Sequence, residues 1–276
     1  MIQSSLFLVC LFTFVIHMTE SLAYSLRLAG VRTGFIAIAL SFVTSTLLVS
    51  RLSNMFQAPL LGAMVDFAII DGSQPALLQL EWSFRLVIFS AFLGVVMGAF
   101  MTPTVVQLFV KAINHFSVLG SVPKVFFYAM HPSRILMIVT MFKLPSFSMC
   151  KGLSWSRIPK QFLLINCFVT SIYCIGVLCA LLAGAYLPEF RSTALQLSGI
   201  VNGMATILFT IFVDPAGARV TDQASRGQRS IDDVRSVVFF LQMGKLVGTL
   251  ILAQLFLLPF MTYIKFFTLW LTTVLK

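Results

Sequence analysis

Six long apolar runs dominate the pattern of hydrophobic and polar residues along the chain. A helix that crosses a bilayer needs about 20 predominantly apolar residues, and most of the runs reach that length. The pattern therefore predicts an all-α, polytopic integral membrane protein that forms a single transmembrane domain over residues 1–276. The predicted spans lie near residues 4–22, 35–50, 84–110, 162–187, 194–213 and 237–258.

Shorter or mixed apolar stretches lie outside these spans. Residues 57–70 are apolar but contain Pro59 and an aspartate, which favours a re-entrant or interfacial helix. A brief run at 135–142 is predicted to lie on the membrane surface as an amphipathic piece. After Pro259, apolar and polar residues separate onto two helical faces. We expect an interfacial C-terminal helix over 260–276, with a seventh span as the alternative.

The composition is that of a chain embedded in lipid. Hydrophobic residues make up 59% of the sequence and charged residues 10%, and the mean hydropathy is +0.98. An ordinary soluble domain carries about 25% charged residues, so soluble enzymes, nucleic-acid-binding proteins and secreted disulfide scaffolds are disfavoured. The net charge of +10 fits cytoplasmic loops and anionic lipid headgroups rather than nucleic acid.

The distribution of Lys and Arg predicts the orientation in the membrane. If the N-terminus lies outside, thirteen of the 19 cations fall in inner loops and five in outer segments. The positive-inside rule then places both termini outside the cytoplasm. No Lys or Arg precedes the first run, and His17 and Glu20 interrupt its end, so a retained span is favoured over a cleaved signal peptide.

The first span contains ionisable residues, which are costly in lipid and are kept facing protein or water. His17, Glu20, Tyr24 and Arg27 are three, four and three residues apart, so they share one face of a helix. Arg32 follows within the segment AGVRTG, and two guanidinium groups beside a glycine-rich bend can hold a phosphate. Alternatively, both arginines anchor a short loop while Glu20 pairs with Arg27, and the residue pattern favours neither interpretation.

Polar residues recur in two other spans. Near the predicted end of the second span, Arg51 and Asn54 share a face and are followed by Gln57 and Asp66. Lys245 lies about two helical turns inside the sixth span. Such cations either extend to the membrane surface or meet an anion in a cavity. The candidate substrate-binding residues are His17, Glu20, Tyr24, Arg27, Arg32, Arg51, Asn54, Gln57, Asp66 and Lys245.

Motifs of common membrane enzymes are absent from the sequence. The chain has no G-x-x-x-x-G-K-[ST], no H-E-x-x-H, no paired Asp-rich motif and no G-x-S-x-G. We therefore expect no ATP hydrolysis, no catalytic residues, no metal and no cofactor. Cations that face a cavity suit an amphiphile with an anionic head. This leaves a transporter of lipid-linked phosphates, an enzyme that acts on such lipids, or an anion transporter.

A family resemblance narrows these possibilities. The segment ESLAYSLRLAGVRTG at 20–34 is followed by LS at 40–41 and SRLSNMFQAPLLG at 50–62, and DP occurs late in the chain at 214–215. In these segments the chain resembles the Amj family of bacterial lipid II flippases, which serve as an alternative to MurJ. The resemblance is most specific over 17–66 and supplies no assigned binding residues.

The resemblance implies a lipid transporter without enzymatic activity in the bacterial cytoplasmic membrane, with lipid II and membrane lipids as partners. The implied function is translocation of undecaprenyl-pyrophosphate-linked disaccharide pentapeptide to the outer leaflet for peptidoglycan synthesis. A flippase for another polyprenyl-linked glycan, a membrane enzyme acting on polyprenyl phosphates and an accessory subunit of the envelope machinery are the alternatives.

Our sequence-based hypothesis for the mechanism is alternating access. Arg27 and Arg32 capture pyrophosphate on the inner side, while Glu20 and His17 gate the path or compensate charge. Lys245 or Arg51 then receives the headgroup further out. Separately, glycines recur at four-residue spacing in several spans. Such spacing predicts close helix packing within the chain or a possible homodimer.

Overall fold

Six helical segments form the framework of the protein. The computed structural model describes residues 2–131, 133–134, 140–143, 145–146, 151–155 and 158–274. Within these residues the chain is helical without β-strands, and six helices are long and apolar enough to cross a membrane. The predicted all-α class with six spans is therefore confirmed, and the chain is a multi-pass membrane protein. The surface piece predicted at 135–142 lies mostly outside the described residues.

The spans are numbered in chain order. Spans 1 to 6 are Ser5–Thr33, Ile36–Asp71, Gln74–Leu119, Lys160–Tyr186, Pro188–Ser225 and Ile231–Val274. The individual helices are Ile2–Ala23, Ser25–Thr33, Ile36–Asp71, Gln74–Leu119, Val122–Ala129, Lys160–Tyr186, Arg191–Gln196, Ser198–Leu208, Asp214–Ser225, Ile231–Val247 and Ala253–Val274. A 3₁₀ turn at Pro188–Phe190 and π-helical turns at Phe209–Val213 and Gly248–Leu252 join some of them.

Span 2 is much longer than its predicted length. The helix does not stop near residue 50 but continues through Pro59 to Asp71, so residues 57–70 are the second half of one helix and not a separate piece. Proline removes one backbone hydrogen bond, and this is outweighed by packing. Leu61 and Val65 are buried in the main hydrophobic core, together with residues of spans 1 and 3. The extension places Arg51 near the middle of the helix.

Span 6 is likewise one continuous helical segment. The separate helix predicted over 260–276 is instead the C-terminal part of the helix Ala253–Val274, with Pro259 inside it. Leu257 and Ile264 are fully buried in the main core, which holds the helix together across the proline. Leu275 and Lys276 lie outside the described residues. At 44 residues the segment is about 66 Å long, so it exceeds the thickness of a bilayer core.

Glycines allow the spans to approach closely. A Cβ atom at Gly98 of span 3 would lie 2.8 Å from the Cβ of Ser21 in span 1, which is closer than real side chains come. A Cβ at Gly248 of span 6 would lie 2.6 Å from the Oγ1 of Thr170 in span 4. Glycine spacing in spans 3 and 6 therefore serves packing within the chain.

The order of contacts fixes which ends of the spans lie together. Spans 1 and 3 run in the same direction, because Ser90 donates a hydrogen bond to the carbonyl of Cys10 and Gly98 faces Ser21. Spans 4 and 6 also run in the same direction, since Asn166 bonds to the carbonyl of Leu241 near their starts. Span 3 runs opposite to span 6, because Arg85 bonds to the carbonyl of Gln254 whereas Gln242 bonds to Thr102. The first and last spans therefore have their outer ends on the same side of the bundle. We call the opposite end, where span 3 ends at Leu119 and span 6 begins at Ile231, the loop end.

Candidate functional site

A cavity of about 580 Å³ lies among spans 1, 2, 4, 5 and 6. Its apolar wall includes Leu40, Val43 and Leu47 of span 2 and Phe209 of span 5. Its polar lining includes six of the residues selected from the sequence: His17, Glu20, Tyr24, Arg27, Arg51 and Lys245. A hydrophobic wall beside charged groups is suited to an amphiphilic ligand.

Span 1 supplies more of the polar lining than any other span. The helix Ile2–Ala23 passes through a turn at Tyr24 into the helix Ser25–Thr33. The stripe of four residues predicted to share one helical face, from His17 to Arg27, stays on one side across this join. Tyr24 is fixed by its hydroxyl group, which lies 3.3 Å from Oδ1 of Asn166 in span 4. The spacing of the stripe was therefore sufficient to predict that its members face one space.

Glu20 and Lys245 form an ion pair inside the bundle. Nζ of Lys245 donates a hydrogen bond of 2.7 Å to Oε2 of Glu20, and the Lys245 side chain is only 4% exposed. Ser50 donates to the other oxygen of Glu20 at 3.3 Å. The carboxylate thus connects spans 1, 2 and 6. Removing one partner from a buried ion pair is strongly destabilising because it leaves an uncompensated charge, so each member of this pair keeps the other charged in the cavity.

His17 lies beside this ion pair. Its Nδ1 atom is 3.8 Å from Oε2 of Glu20, beyond hydrogen-bond distance, and the residue is buried. Among the described residues, Nδ1 has no hydrogen-bond partner. A buried polar atom without a partner is unfavourable unless water or a ligand reaches it. His17 therefore offers a free polar atom to a molecule in the cavity.

Arg27 forms a second ion pair, with Asp214 of span 5. The expectation that Glu20 pairs with Arg27 is wrong, because Glu20 is held by Lys245 instead. A Cβ atom at Gly217 would lie 3.0 Å from Nη1 of Arg27, so glycine leaves room for the guanidinium. This pair connects span 1 to span 5 at the loop end of the cavity.

Arg51 differs from the other two cations. Its side chain is exposed, and it makes no ion pair or hydrogen bond within the part of the chain that the structure describes. The side chain of Asp214, across the cavity, is 55% exposed. These exposures show that the cavity is open to the surroundings of the bundle. Arg51 lines this cavity, and no protein carboxylate in the described structure compensates its charge.

Arg32 lies outside this cavity. The segment AGVRTG does not bend, because the helix Ser25–Thr33 continues through it and ends only at Gly34, whose φ is 73°. Arg27 and Arg32 are five positions apart in this helix, which turns their side chains about 140° apart. Arg32 instead lines a second cavity of about 350 Å³, together with Arg235. The predicted clamp of both arginines on one phosphate is therefore not formed.

Three other selected residues lie away from the cavity. Gln57 is buried and donates hydrogen bonds to Oγ1 of Thr13 at 2.5 Å and to the carbonyl of Val9 at 3.4 Å, which ties span 2 to span 1. Asp66 pairs with Arg191 of span 5. Asn54 is exposed on span 2. Their surroundings indicate structural or surface positions.

Some lining residues were not selected from the sequence. Asp214 is one of them, and it begins the helix Asp214–Ser225 within span 5. Tyr173 of span 4 also lines the cavity and donates a hydrogen bond of 2.7 Å to Oγ1 of Thr206. Asn166 could have been found, because an amide inside an apolar span requires a polar partner. The described residues contain no group of three or more His, Cys, Asp or Glu side chains placed to hold a metal.

The fold and the cavity define the class of protein. It is a multi-pass helical membrane protein with a charged cavity among its spans and an apolar wall beside the charges.

The comparisons with known proteins identify the family. The family described as "Amj: Alternate to MurJ" matches residues 12–268. The chain is also 40% identical over 266 residues to the "Lipid II flippase Amj" of Bacillus subtilis (strain 168), a match that covers 96% of this chain and 97% of that protein. The chain belongs to the Amj family, as the sequence segments predicted. No solved structure matches it.

Proposed function

We propose that this protein is a lipid II flippase of the bacterial cytoplasmic membrane. It moves undecaprenyl-pyrophosphate-linked disaccharide pentapeptide from the inner to the outer leaflet for peptidoglycan synthesis. Membership of the Amj family and the name of the Bacillus subtilis relative support this function. The observation on which it chiefly rests is the open cavity in which cations and an apolar wall lie side by side.

The cavity addresses the main physical obstacle to flipping. A pyrophosphate with two sugars loses its hydration in hydrocarbon, and unpaired charge in an apolar medium is very unfavourable. Arg51, Arg27 and Lys245 provide donors that replace this water, while the polyprenyl tail remains in lipid along the apolar wall. Because Arg51 has no protein partner in the described structure, it is the first group that the pyrophosphate contacts.

The two ion pairs supply the conformational step. Glu20 pairs with Lys245, and Asp214 pairs with Arg27. Each cation can therefore bind substrate fully only when its ion pair breaks. A pyrophosphate that competes for these cations weakens the connection of span 1 to spans 5 and 6. Alternating access then consists of an exchange of partners: the headgroup displaces the carboxylates, the spans separate, and the carboxylates return after release.

The loop end faces the cytoplasm in this proposal, with both termini outside. Most of the Lys and Arg residues lie in the segments of that end, as the positive-inside rule requires. An inside-negative potential of 100 mV favours outward movement of each negative charge by about 2.3 kcal/mol. The potential is therefore large enough to drive a multiply charged headgroup without ATP hydrolysis.

The homodimer stays a prediction. A Cβ atom added at Gly199 or Gly203 of span 5 would meet no other atom within 4 Å, so this face of the span is open to lipid or to a second copy. Cross-linking of single cysteines at these positions in native membranes tests for it.

The proposed function is tested by neutralising Arg51. We expect Arg51→Gln to reduce outward lipid II flipping strongly in cells depleted of their other lipid II flippases, at unchanged protein level. Arg226→Gln is the matched control, because Arg226 is an exposed loop-end arginine whose side chain is 67% exposed. Normal flipping by Arg51→Gln would reject the proposed contact, and failure of the native protein to rescue these cells would reject the function itself.

A further inference from the structure

The second cavity is a separate space at the loop end. It has a volume of about 350 Å³ and lies between spans 1, 3 and 6 and the connection after span 3. None of the residues that line it lines the larger cavity. The helix Ser25–Thr33 separates the two spaces, with Arg27 facing one and Arg32 facing the other.

The lining of this cavity changes from charged to apolar along its depth. Arg32, Gln107 and Arg235 lie toward the loop end of their spans. Deeper in the bundle, the lining consists of apolar side chains such as Phe100 and Met243. A phospholipid has the same arrangement, since its phosphate lies at the membrane surface and its acyl chains lie further in.

Two polar side chains at this end of the cavity have no partner in the described part of the protein. Within the described chain, Arg32 and Gln107 make no hydrogen bond or ion pair. Arg235 pairs with Asp232 at 2.5 Å, yet its guanidinium still repels that of Arg32. Arg32 and Gln107 therefore have donors available to an anion in this space, and the positive charge of Arg235 beside them favours one.

We propose that this cavity binds an acidic membrane phospholipid, with its phosphate group on Arg32 and Arg235 and an acyl chain against Phe100. Arginine is suited to this role because its planar guanidinium binds phosphate oxygens in pairs. The substrate of the larger cavity does not reach this site, because the helix directs Arg27 and Arg32 into different spaces.

The site is connected to the larger cavity by one residue. Gln242 lines the second cavity, and its Nε2 atom donates to the carbonyl of Ser21 at 3.2 Å and to Oγ1 of Thr102 at 2.7 Å. Lys245 follows one helical turn later and holds Glu20. A lipid that ties Arg32 to Arg235 therefore holds spans 1 and 6 together next to the ion pair, and the lipid composition of the membrane regulates the protein.

The experiment measures binding of phosphatidylglycerol and phosphatidylcholine to the purified full-length protein in detergent by native mass spectrometry. We expect phosphatidylglycerol to bind preferentially, and Arg32→Gln to weaken it by about tenfold, as expected for a lost hydrogen bond to a charged group. Arg226→Gln and Arg51→Gln are the controls and should keep native affinity. Equal binding of the two lipids, or equal weakening by all three variants, would overturn the site.

Two additional measurements complete the test. Ala99→Phe fills the cavity without changing charge, so loss of phosphatidylglycerol binding by this variant supports the site even if Arg32→Gln folds poorly. Inorganic phosphate is added as a competitor, and displacement of the lipid by phosphate alone at equal concentration would contradict a lipid site. Lipid binding is measured independently of transport. If the native protein binds phosphatidylglycerol but does not flip lipid II, the proposed function is rejected and this site is retained.

Discussion

Breaking the Glu20–Lys245 ion pair tests the architecture of the cavity most sharply. Lys245→Met removes an ammonium group whose side chain is 4% exposed and leaves the Glu20 carboxylate without its partner. Loss of one member of a buried pair costs about 3–5 kcal/mol. Because the Glu20 side chain is 36% exposed, water compensates part of the loss, and we expect about 2–3 kcal/mol of destabilisation.

The assay is a double-mutant cycle on the free energy of unfolding in detergent. Glu20→Gln removes the carboxylate, and the double variant with Lys245→Met leaves no uncompensated charge. We expect the double variant to recover part of the stability, with a coupling energy of about 1–3 kcal/mol. It should still fail to flip lipid II, because the cation is missing. Purely additive losses would refute the ion pair, and normal flipping by the double variant would refute its part in transport.

The remaining predictions concern the contacts between spans. Gly98→Leu should lower protein stability severely, since its Cβ would meet Ser21 at 2.8 Å, whereas Gly199→Leu in open space should not; thermal unfolding of both variants checks this. Gln57→Leu removes two hydrogen bonds and should cost about 1–3 kcal/mol in unfolding free energy, yet retain flipping at matched protein level. Exchange of Arg27 and Asp214, as Arg27→Asp with Asp214→Arg, should restore stability lost in Arg27→Asp but not flipping in cells.

The existence of the spans was predictable from sequence, but their ends were not. Apolar runs identify helices because lipid requires every backbone group to be bonded within the segment. Pro59 and Pro259 suggested helix ends, yet both lie inside helices. Long-range packing of residues such as Leu61 and Leu257 decides these cases, and no local pattern contains that information.

The candidate site was predictable to a similar degree. The spacing from His17 to Arg27 was enough to place those residues on one face, because helical periodicity is local. The partners were not predictable, since Lys245 is 225 positions from Glu20. Arg32 does not share the space that Arg27 lines, because residues 29–33 stay helical where glycines suggested a bend, and the helix rotates the side chain away.

Direct mapping of the headgroup tests the central claim, which is that the charged cavity replaces the water that the lipid headgroup loses. A lipid II analogue with a photoreactive group on its disaccharide is cross-linked to the purified protein, and the labelled residues are identified by mass spectrometry. The account predicts labels on cavity residues such as Thr44 and Tyr173, lost in Arg51→Gln. Labels confined to outward-facing residues such as Met55 and Ile200, unchanged by Arg51→Gln, would contradict it.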